Sequence, residues 1–505
     1  MFGGDIGVGG NGARETIKVS LECHDETVLD SEGVSDQRVL SGWVAPFHGG
    51  EAPLGELIQN LTHRLKAMTK GVAKHSLRQH ATPSDVFDIL CGDQPYALWL
   101  DHHGERGTGV SYLALGEPLE LSTHWRDEVR ASWKSRAVAP GEGSIPLGVH
   151  LVLPYELGLE TLGLEIEGEA SPRALVVTRL LEVVHDTGEI TAYWLPDTPN
   201  PEAWVASLER DLDAYAPPPA QTVSDVSDAL WRDSATRYLD MISLAQRFIA
   251  DGDAYQLCVT TQLTLVGSVD PVALHRVMRE HNPTHHQALI RFPDIALVSS
   301  SPETFLSVST EGVITTRPIK GTRPRGATPH DDAALRKELL TSDKERAENL
   351  MIVDLMRNDL SRVCETGSVS VPELLVVETY ATVHQLVSTI TGNMRHGFDL
   401  VDILDATFPA GSMTGAPKKR ALEILRELEG HPRGLYSGTY GVWRADGSAE
   451  FAMTIRCAMV TENSLTLGVG GGITALSEPA EEIREVGIKA HAFLRALGAK
   501  QVGYS

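Results

Sequence analysis

The chain has 505 residues, which exceeds the length at which a single hydrophobic core stops growing, so we expect two or three structural units. Hydrophobic residues make up 42% and charged residues 22%, as in ordinary globular proteins, and the formal net charge is −24. So acidic a surface repels nucleic acid and anionic membranes, and neither is expected as a partner. An anionic substrate would therefore need a metal ion or a local group of cations.

The cysteines and the apolar segments indicate a compartment. No CxxC pair occurs, and the five cysteines are scattered: Cys23, Cys91, Cys258, Cys364 and Cys457. This pattern indicates reduced thiols rather than a disulfide framework. The sequence shows no signal peptide and no apolar stretch of about 20 residues, the length that spans a membrane. A cytoplasmic location is therefore expected.

Taken in chain order, residues 1–83 have little periodicity and predict a poorly patterned N-terminal extension. A first subdomain is expected over residues 84–220, in which the run PYALWLD at 95–101 predicts a strand. The prolines at 217–219 end any regular element and mark a boundary. A second, larger domain is expected over residues 226–500.

The second domain mixes helices and strands. Apolar periodicity predicts a helix at 229–249, and residues 331–366, which contain neither Gly nor Pro, predict one long helix or a pair. Further helices are expected at 416–428 and 479–497, and strands at 255–259, 313–320, 439–444, 450–459 and 464–470. Because these elements follow no strict βαβ repeat, the sequence favours an α+β fold over a doubly wound sheet.

A lysine near the end of an apolar strand is the first candidate for chemistry. Lys320 lies in the run RPIKGTRPRG at residues 317–326, just before a Gly-Thr turn. It would be a nucleophile if burial or neighbouring cations lowered its pKa. The alternative, a basic strand end that faces water, is favoured by these ten residues alone.

Two predicted helices each carry paired carboxylates. Glu345 and Glu348 share one helix face, and Glu482 and Glu485 share another, with Lys489 one turn further on. Mg2+ prefers a few carboxylates together with water and substrate oxygens. Solvated helix faces produce the same spacing, so each pair alone is weak support for a metal site.

Two further features remain open at this level. The run LGVGGGIT at 467–474 permits close approach of the backbone to a ligand, with a bulged turn as an equal alternative. The histidine pairs 102–103 and 285–286 have poor geometry for one metal, because their side chains are adjacent in sequence. Both pairs are expected to be exposed.

Several longer segments occur in a fixed order: DGDAYQ at 251–256, SSPETF at 300–305, AENLMIVDLMRND at 347–359, GSMTGAPK at 411–418 and TIR at 454–456. Together with the glycine run, they resemble the chorismate-utilising family formed by the large subunits of anthranilate, aminodeoxychorismate and isochorismate synthases. The resemblance is close over 226–500 and looser over 84–215. It implies the anthranilate synthase component I-like fold, in which two large, mainly antiparallel β-sheets pack as a sandwich with helices on the outside.

The resemblance also implies a reaction. Family members that make anthranilate typically carry Ala at the position of Lys320, whereas those that make 4-amino-4-deoxychorismate carry Pro-Ile-Lys-Gly-Thr, as here. A lysine amine that attacks ring carbon C2 as the C4 hydroxyl departs would occupy C2 and direct ammonia to C4. The implied function is a Mg2+-dependent conversion of chorismate in para-aminobenzoate and folate biosynthesis.

Other roles follow from the resemblance by position. Glu303 matches the general acid for hydroxyl loss. Glu348 and Glu485 match magnesium ligands, and Glu345 and Glu482 match the companions that hold metal-bound water. The matching substrate-contact positions are Gly321, Thr322, Tyr436, Arg456, Gly470, Gly472 and Lys489.

Departures from the motifs of the family narrow the choice of reaction. Gln256 stands where isochorismate and salicylate synthases have a water-activating lysine, which argues against those reactions. Gln385 stands where anthranilate and isochorismate enzymes have a histidine; His384 precedes it, and on a strand would face the opposite way. The chain has no Gly-x-Cys-x-Gly nucleophile, so the resemblance implies a separate glutamine amidotransferase subunit that supplies ammonia.

Two alternatives stay open. The first is anthranilate synthase component I, which Lys320 and Gln385 oppose. The second is a non-catalytic regulatory protein that binds chorismate or tryptophan. It is disfavoured because a silent relative has no physical need to keep Lys320, Glu303, Glu348 and Glu485 together.

Overall fold

A computed structural model describes residues 71–103, 109–139, 144–166, 168, 170–217, 223–380 and 383–499, together with three strands nearer the N-terminus. The chain divides into two compact units, Met1–Lys66 and Ala67–Ser505. In the first unit, β1 (Gly3–Gly10), β2 (Glu15–Glu22) and β3 (Val39–Ser41) form an antiparallel sheet in that order. They lie in the segment for which the sequence predicts no regular element.

The second unit contains the remaining elements. Its helices are α1 (Pro83–Leu90), α2 (Trp125–Lys134), α3 (Leu157–Glu160), α4 (Pro201–Ala214), α5 (Ala235–Ala250), α6 (Pro271–His281), α7 (Pro329–Thr341), α8 (Asp343–Ser361), α9 (Leu400–Thr407), α10 (Lys418–Glu429) and α11 (Pro479–Ala496). Among the described residues, no helix is long and apolar enough to cross a membrane.

The strands of this unit, in chain order, are β4 (Ala73–His80), β5 (Ala97–His103), β6 (Gly109–Leu115), β7 (Glu117–Pro118), β8 (Gly148–Leu153), β9 (Arg173–Val177), β10 (Arg179–Val184), β11 (Glu189–Trp194), β12 (Ser224–Val226), β13 (Leu230–Trp231), β14 (Gln256–Val269), β15 (His286–Arg291), β16 (Ala296–Ser301), β17 (Thr304–Val308), β18 (Val313–Thr316), β19 (Ile319–Pro324), β20 (Ser370–Thr379), β21 (Val383–Asn393), β22 (Gly415–Ala416), β23 (Thr439–Arg444), β24 (Ala449–Met453), β25 (Cys457–Val460) and β26 (Ser464–Ile473).

These strands form two antiparallel sheets. The large sheet has 13 strands in the order β12-β14-β26-β25-β16-β15-β5-β6-β10-β11-β4, with β13 and β22 also paired to β14. The smaller sheet has 10 strands in the order β19-β21-β18-β17-β24-β23-β8-β9-β7, with β20 paired to β21. The predicted segments 84–220 and 226–500 contribute strands to both sheets. The predicted α+β class with two large antiparallel sheets is confirmed.

Alternation along the strands builds two cores. Successive side chains of a strand point to opposite faces of the sheet. Leu98 of β5 therefore lies in a cluster that also contains Phe451 of β24 in the smaller sheet. The next residue, Trp99, lies in the other cluster, where its ring stacks on Phe87 of α1 at a centroid distance of 5.0 Å. One core thus joins the two sheets, and the other joins the large sheet to its helices.

Most predicted elements of the second domain are present, with one shifted helix start. The predicted strands 313–320 and 450–459 are each divided, the first into β18 and β19 and the second into β24 and β25, which lie in different sheets. The segment 331–366 forms the pair α7 and α8, and α10 and α11 begin within two residues of their predicted starts. Helix α5 begins at Ala235 rather than 229, because the hydroxyl of Ser234 accepts a hydrogen bond from the backbone N–H of Arg237 and caps the helix there. The residues just before this cap form β13 instead.

Candidate active site

Lys320 lies at an irregular point of β19. Ile319 pairs with Val387 of β21 and Thr322 pairs with Gln385, and the register shifts between these two pairs. Gly321 within the shift has φ +81, and a Cβ there would lie 2.9 Å from the carboxylate of Glu345, so a side chain is disfavoured twice over. The half-buried ammonium of Lys320 donates to the carbonyl oxygen of Ser412 at 3.4 Å.

Glu303 lies between β16 and β17 and is only 7% exposed. Its backbone carbonyl accepts a hydrogen bond from the N–H of Met453 at 3.0 Å, which fixes the residue to β24. Burial raises the pKa of its carboxyl, and the nearby Lys320, Ser412 and Lys489 offset only part of this effect. A carboxyl with a raised pKa beside a lysine is suited to act as a general acid.

The four predicted metal-binding glutamates come from α8 and α11, and a lysine bridges the two helices. The Nζ of Lys344 lies 2.9 Å from Glu482 Oε1 and 4.0 Å from Glu348 Oε1. On the next turn of α11, the Nζ of Lys489 lies 2.6 Å from Glu485 Oε1 and donates to the carbonyl oxygen of Gly470 at 2.6 Å. The two helices thus bring their carboxylates to the end of β26.

Glu348 is a buried carboxylate with one oxygen, Oε1, that lacks a hydrogen-bond partner among the described residues. Burial raises the pKa of Glu348 to about 7, Lys320 and Lys344 oppose the rise, and Glu345 and Glu482 add to it. Glu345 itself is paired with Arg323, at 3.3 Å between Oε1 and Nη1. An orphaned buried oxygen in a group of carboxylates fits a divalent cation.

The burial of Glu348 gives a pH-dependent cost in the metal-free protein. The folded pKa of about 7 exceeds the ordinary value of 4.5, so the folded state binds this proton more tightly than the unfolded state does. The contribution of this proton to the free energy of unfolding is therefore present at low pH and is lost as pH rises through 7. We expect Glu348→Gln to raise the thermal midpoint at pH 8 in the presence of a chelator, by the equivalent of roughly 2–3 kcal/mol. The gain should shrink as the pH is lowered to 5.

The matched control is Glu481→Gln, which removes the same charge from an exposed position of α11. It should leave the melting temperature nearly unchanged at every pH. A Glu348→Gln protein that is no more stable than wild type at pH 8 would contradict the assigned burial cost.

The glycine run lies within β26 and follows a regular ladder with β14, so the alternative of a bulged turn is wrong. A Cβ on Gly468 would lie 2.0 Å from the ring of Tyr436, and one on Gly472 would lie 2.4 Å from Nε2 of Gln256. On the opposite face of the strand, a Cβ on Gly471 would lie 2.9 Å from a carboxylate oxygen of Glu482. The glycines therefore make room for the polar side chains of the site.

Arg456 is placed by a left-handed backbone. Its φ of 52 is uncommon for a residue with a side chain, and its carbonyl accepts a hydrogen bond from the N–H of Ser300 at 2.9 Å. Burial lowers the pKa of its guanidinium, with Tyr436 and Glu485 close enough to oppose the shift. Among the described residues, no carboxylate forms an ion pair with this guanidinium, which leaves it available to a carboxylate of a ligand.

Not every predicted residue lies inside this group. Thr322 is exposed on β19, opposite Gln385. His384 is buried on the other side of the strand, where its Nε2 lies 2.9 Å from Asp332 Oδ1 of α7 and its Nδ1 lies 2.8 Å from Thr379 Oγ1. His384 is therefore occupied by structural contacts away from Lys320.

Two residues of the site were not predicted from the sequence. Ser412 provides the carbonyl that accepts from Lys320, and it belongs to the motif at 411–418, which signalled the segment but not the residue. Lys344 links Glu348 to Glu482. Its only sequence signal is a spacing of four residues from Glu348, which exposed helix faces also produce.

A buried ion pair supports the segment around Ser412. The guanidinium of Arg433 donates to both carboxylate oxygens of Glu429 at 2.7 and 2.9 Å, and to the carbonyl oxygens of Met413 and Cys258 at 2.7 and 2.8 Å. It also lies over the ring of Tyr155, 4.3 Å from the centroid. Arg433 thus joins α10, β14 and the segment that carries the Ser412 carbonyl.

Arg433→Ala should destabilise the protein by about 3–5 kcal/mol, because it leaves the Glu429 carboxylate buried and unpaired. The control is Arg420→Ala, whose partly exposed pairs with Asp253 and Glu423 should contribute less than about 1 kcal/mol. Thermal or denaturant unfolding of both variants measures the difference. Equal losses in the two variants would contradict the structural role given to Arg433.

Known proteins are similar to this chain in sequence and in fold. The sequence profile described as chorismate binding enzyme matches residues 96–495. Aminodeoxychorismate synthase of Streptomyces pristinaespiralis is 42% identical over 462 residues, which cover 83% of this chain and 64% of that protein. Aminodeoxychorismate synthase of Streptomyces griseus is 42% identical over 495 residues, which cover 89% of this chain and 68% of that protein. The chain thus spans about two thirds of the length of these curated relatives.

Among solved structures, anthranilate synthase component I from Streptococcus pneumoniae TIGR4 superposes with a TM-score of 0.64 and 25% identity. The match covers 79% of this chain and 92% of that chain. The fold and the family that the ordered motifs predict are both confirmed. Since the family profile spans most of the chain and includes every residue of the site described above, this chain belongs to the family of chorismate binding enzymes.

Proposed function

We propose that this chain converts chorismate and ammonia to 4-amino-4-deoxychorismate, the reaction of an aminodeoxychorismate synthase, in para-aminobenzoate and folate biosynthesis. The observation that carries the proposal is the position of Lys320, which donates to the Ser412 carbonyl beside a buried Glu303 of raised pKa. The identity with two aminodeoxychorismate synthases supports the same reaction.

In the proposed mechanism, the ammonium of Lys320 first loses a proton to solvent. The neutral amine then forms a bond to C2 of chorismate while the C4 hydroxyl leaves. Glu303 gives its proton to the departing hydroxyl, which is released as water. Ammonia then forms a bond to C4, and the bond between C2 and the lysine nitrogen breaks as the ring double bonds return to their original places. A proton passes from the ammonium nitrogen to the released amine or to Glu303. The enolpyruvyl group is retained throughout.

The site also has to hold a dianionic substrate. We place the enolpyruvyl carboxylate against the guanidinium of Arg456, which has a bidentate donor set and no ion-pair partner among the described side chains. The adjacent Gly470 and Gly472 present backbone without a Cβ at the same end of β26. Tyr436 and Lys489 complete the proposed substrate-binding group, with Gly321 on β19.

We propose Mg2+ as the cofactor, with Glu348 and Glu485 as ligands and with Glu345 and Glu482 holding its water. The orphaned oxygen of Glu348 supports this assignment. The bound ion would neutralise the ring carboxylate of chorismate, which otherwise meets four glutamates. Lys344 and Lys489 would balance the remaining charge, since each already pairs with one of these carboxylates.

Ammonia would come from a glutamine amidotransferase subunit. The described cysteines support an external source: burial raises the pKa of Cys91 and Cys457 to about 12 and that of Cys364 to about 11, and also raises the pKa of Cys258. None of these four is a ready thiolate for glutamine hydrolysis. Their reduced, unpaired state agrees with the cytoplasmic location that forms part of this proposal.

The direct experiment incubates the purified chain with Mg2+, chorismate and an ammonium salt at alkaline pH, where free ammonia is abundant. We expect 4-amino-4-deoxychorismate, which an added lyase converts to para-aminobenzoate. Chromatography separates this product from the ortho isomer that anthranilate synthase component I would give. Ortho product would favour that alternative, and Mg2+-independent binding of chorismate or tryptophan without turnover would favour the regulatory one.

A further inference from the structure

Side chains from the two histidine pairs meet on the surface, which the sequence did not indicate. His102 lies near the end of β5, and His285 immediately precedes β15, the neighbouring strand of the large sheet. Their rings are 4.6 Å apart between centroids. Glu450 of β24, in the smaller sheet, completes the group, and the three ligand atoms all lie within 4.8 Å of one another.

A fourth side chain lies against the same carboxylate oxygen. His286 Nδ1 and His285 Nε2 are each 3.9 Å from Glu450 Oε1. The expectation that both histidine pairs are exposed is wrong for His286, whose side chain is 9% exposed. Its Nε2 lies 2.7 Å from Thr304 Oγ1, so its Nδ1 is the atom directed at the cluster.

The orientation of Glu450 suits a cation. Arg444 donates to Glu450 Oε2 at 2.6 Å, which leaves Oε1 facing the histidines.

We propose that His102, His285 and Glu450 form a second cation site, which binds a divalent transition metal such as Zn2+ and is separate from the carboxylates of α8 and α11. Zn2+ accepts both imidazole and carboxylate ligands, whereas Mg2+ prefers oxygen ligands, so the two imidazoles favour Zn2+. Donor atoms around tetrahedral Zn2+ lie about 3.3 Å apart, given bonds of about 2.0 Å. The present donor atoms lie within 4.8 Å of one another, and side-chain rotation of the exposed His102 and His285 would close this spacing.

The location gives such an ion a structural consequence. Its ligands come from β5 and from the residue before β15 in the large sheet and from β24 of the smaller sheet, so the ion would join the two sheets at these strand ends. The cluster also continues toward the proposed active site, because His286 contacts Thr304, the residue after Glu303. Binding to the folded form alone should raise the thermal midpoint in proportion to the logarithm of the free metal concentration.

The test uses the full chain, freed of metals by a chelator and then kept in saturating Mg2+ so that the carboxylates of α8 and α11 are occupied. Zn2+ is titrated by calorimetry, and Co2+ by its visible absorption, which reports nitrogen ligands and low coordination number. We expect one saturable site, visible Co2+ bands and a Zn2+-dependent rise of the melting temperature. His102→Asn and His285→Asn should each weaken binding by about tenfold or more.

The control is His281→Asn, an exposed histidine of α6 whose ring contacts the helix carbonyl of Val277. It should bind Zn2+ as the wild type does. Because Glu450 pairs with Arg444, Glu450→Gln risks misfolding, and the two histidine variants therefore carry the test. Absence of saturable binding, or equal affinity in His102→Asn, His285→Asn and wild type, would overturn the proposal.

Discussion

Lys320→Ala should lower the turnover number for 4-amino-4-deoxychorismate by about 10³-fold or more, the scale on which removal of one nucleophile acts. Alanine has no amine to occupy C2, so this carbon is left open to ammonia. We therefore expect any residual amination to give the ortho product. Steady-state kinetics with ammonium salt, followed by chromatography of the aromatic amines, measures both effects.

Two further variants separate the amine from its charge and from general surface effects. Lys320→Arg keeps the positive charge but has no deprotonated form near neutral pH, so it should lose as much activity as the alanine variant. Lys337→Ala removes an exposed lysine of α7 and should leave turnover unchanged. Activity of Lys320→Arg close to wild type would show that only the charge at this position matters.

Glu303→Gln should lower turnover by about 10²–10⁴-fold, the range in which general acid catalysis contributes. The amide has nearly the same size but no proton to give to the departing hydroxyl. Burial raises the pKa of Glu303, which favours proton donation by the wild-type carboxyl, a role that glutamine cannot replace. The loss should appear in kcat, with the KM for chorismate and the affinity for Mg2+ changed little.

The matched control for this variant is Glu311→Gln, in the exposed turn after β17. It removes a carboxylate at the far end of β17 without touching the site, and its kinetics should equal those of wild type. A Glu303→Gln enzyme that loses chorismate affinity but keeps its turnover number would assign Glu303 to binding instead of proton transfer.

The sequence named candidate site residues but not all of the contacts among them. Lys320, Glu303 and Glu348 were named from three separate segments, and the structure places Lys320 close enough to both carboxyls to offset part of the rise in their pKa values. The ordered motifs did not identify the Ser412 carbonyl that accepts from Lys320, since a backbone acceptor leaves no residue-specific trace. Lys344 was missed because its spacing also occurs on solvated helices.

Long-range contacts account for the remaining differences. The glycine run read equally well as a turn or a strand, and only the ladder with β14 decides for the strand. The approach of His102 to His285 depends on the pairing of β5 with β15, elements nearly 200 residues apart, which local periodicity does not encode. Conversely, the predicted start of α5 was wrong because it followed apolar periodicity alone. The local signal that sets the start is the N-cap at Ser234.

The most direct measurement of the central claim is mass spectrometry of the full chain mixed with chorismate and Mg2+ without ammonia. The account predicts a covalent adduct equal to chorismate less one water, located on Lys320 by peptide mapping and absent from Lys320→Arg. Added ammonium should discharge it to 4-amino-4-deoxychorismate. An unmodified Lys320, together with formation of the ortho product once ammonia is supplied, would contradict the proposed function.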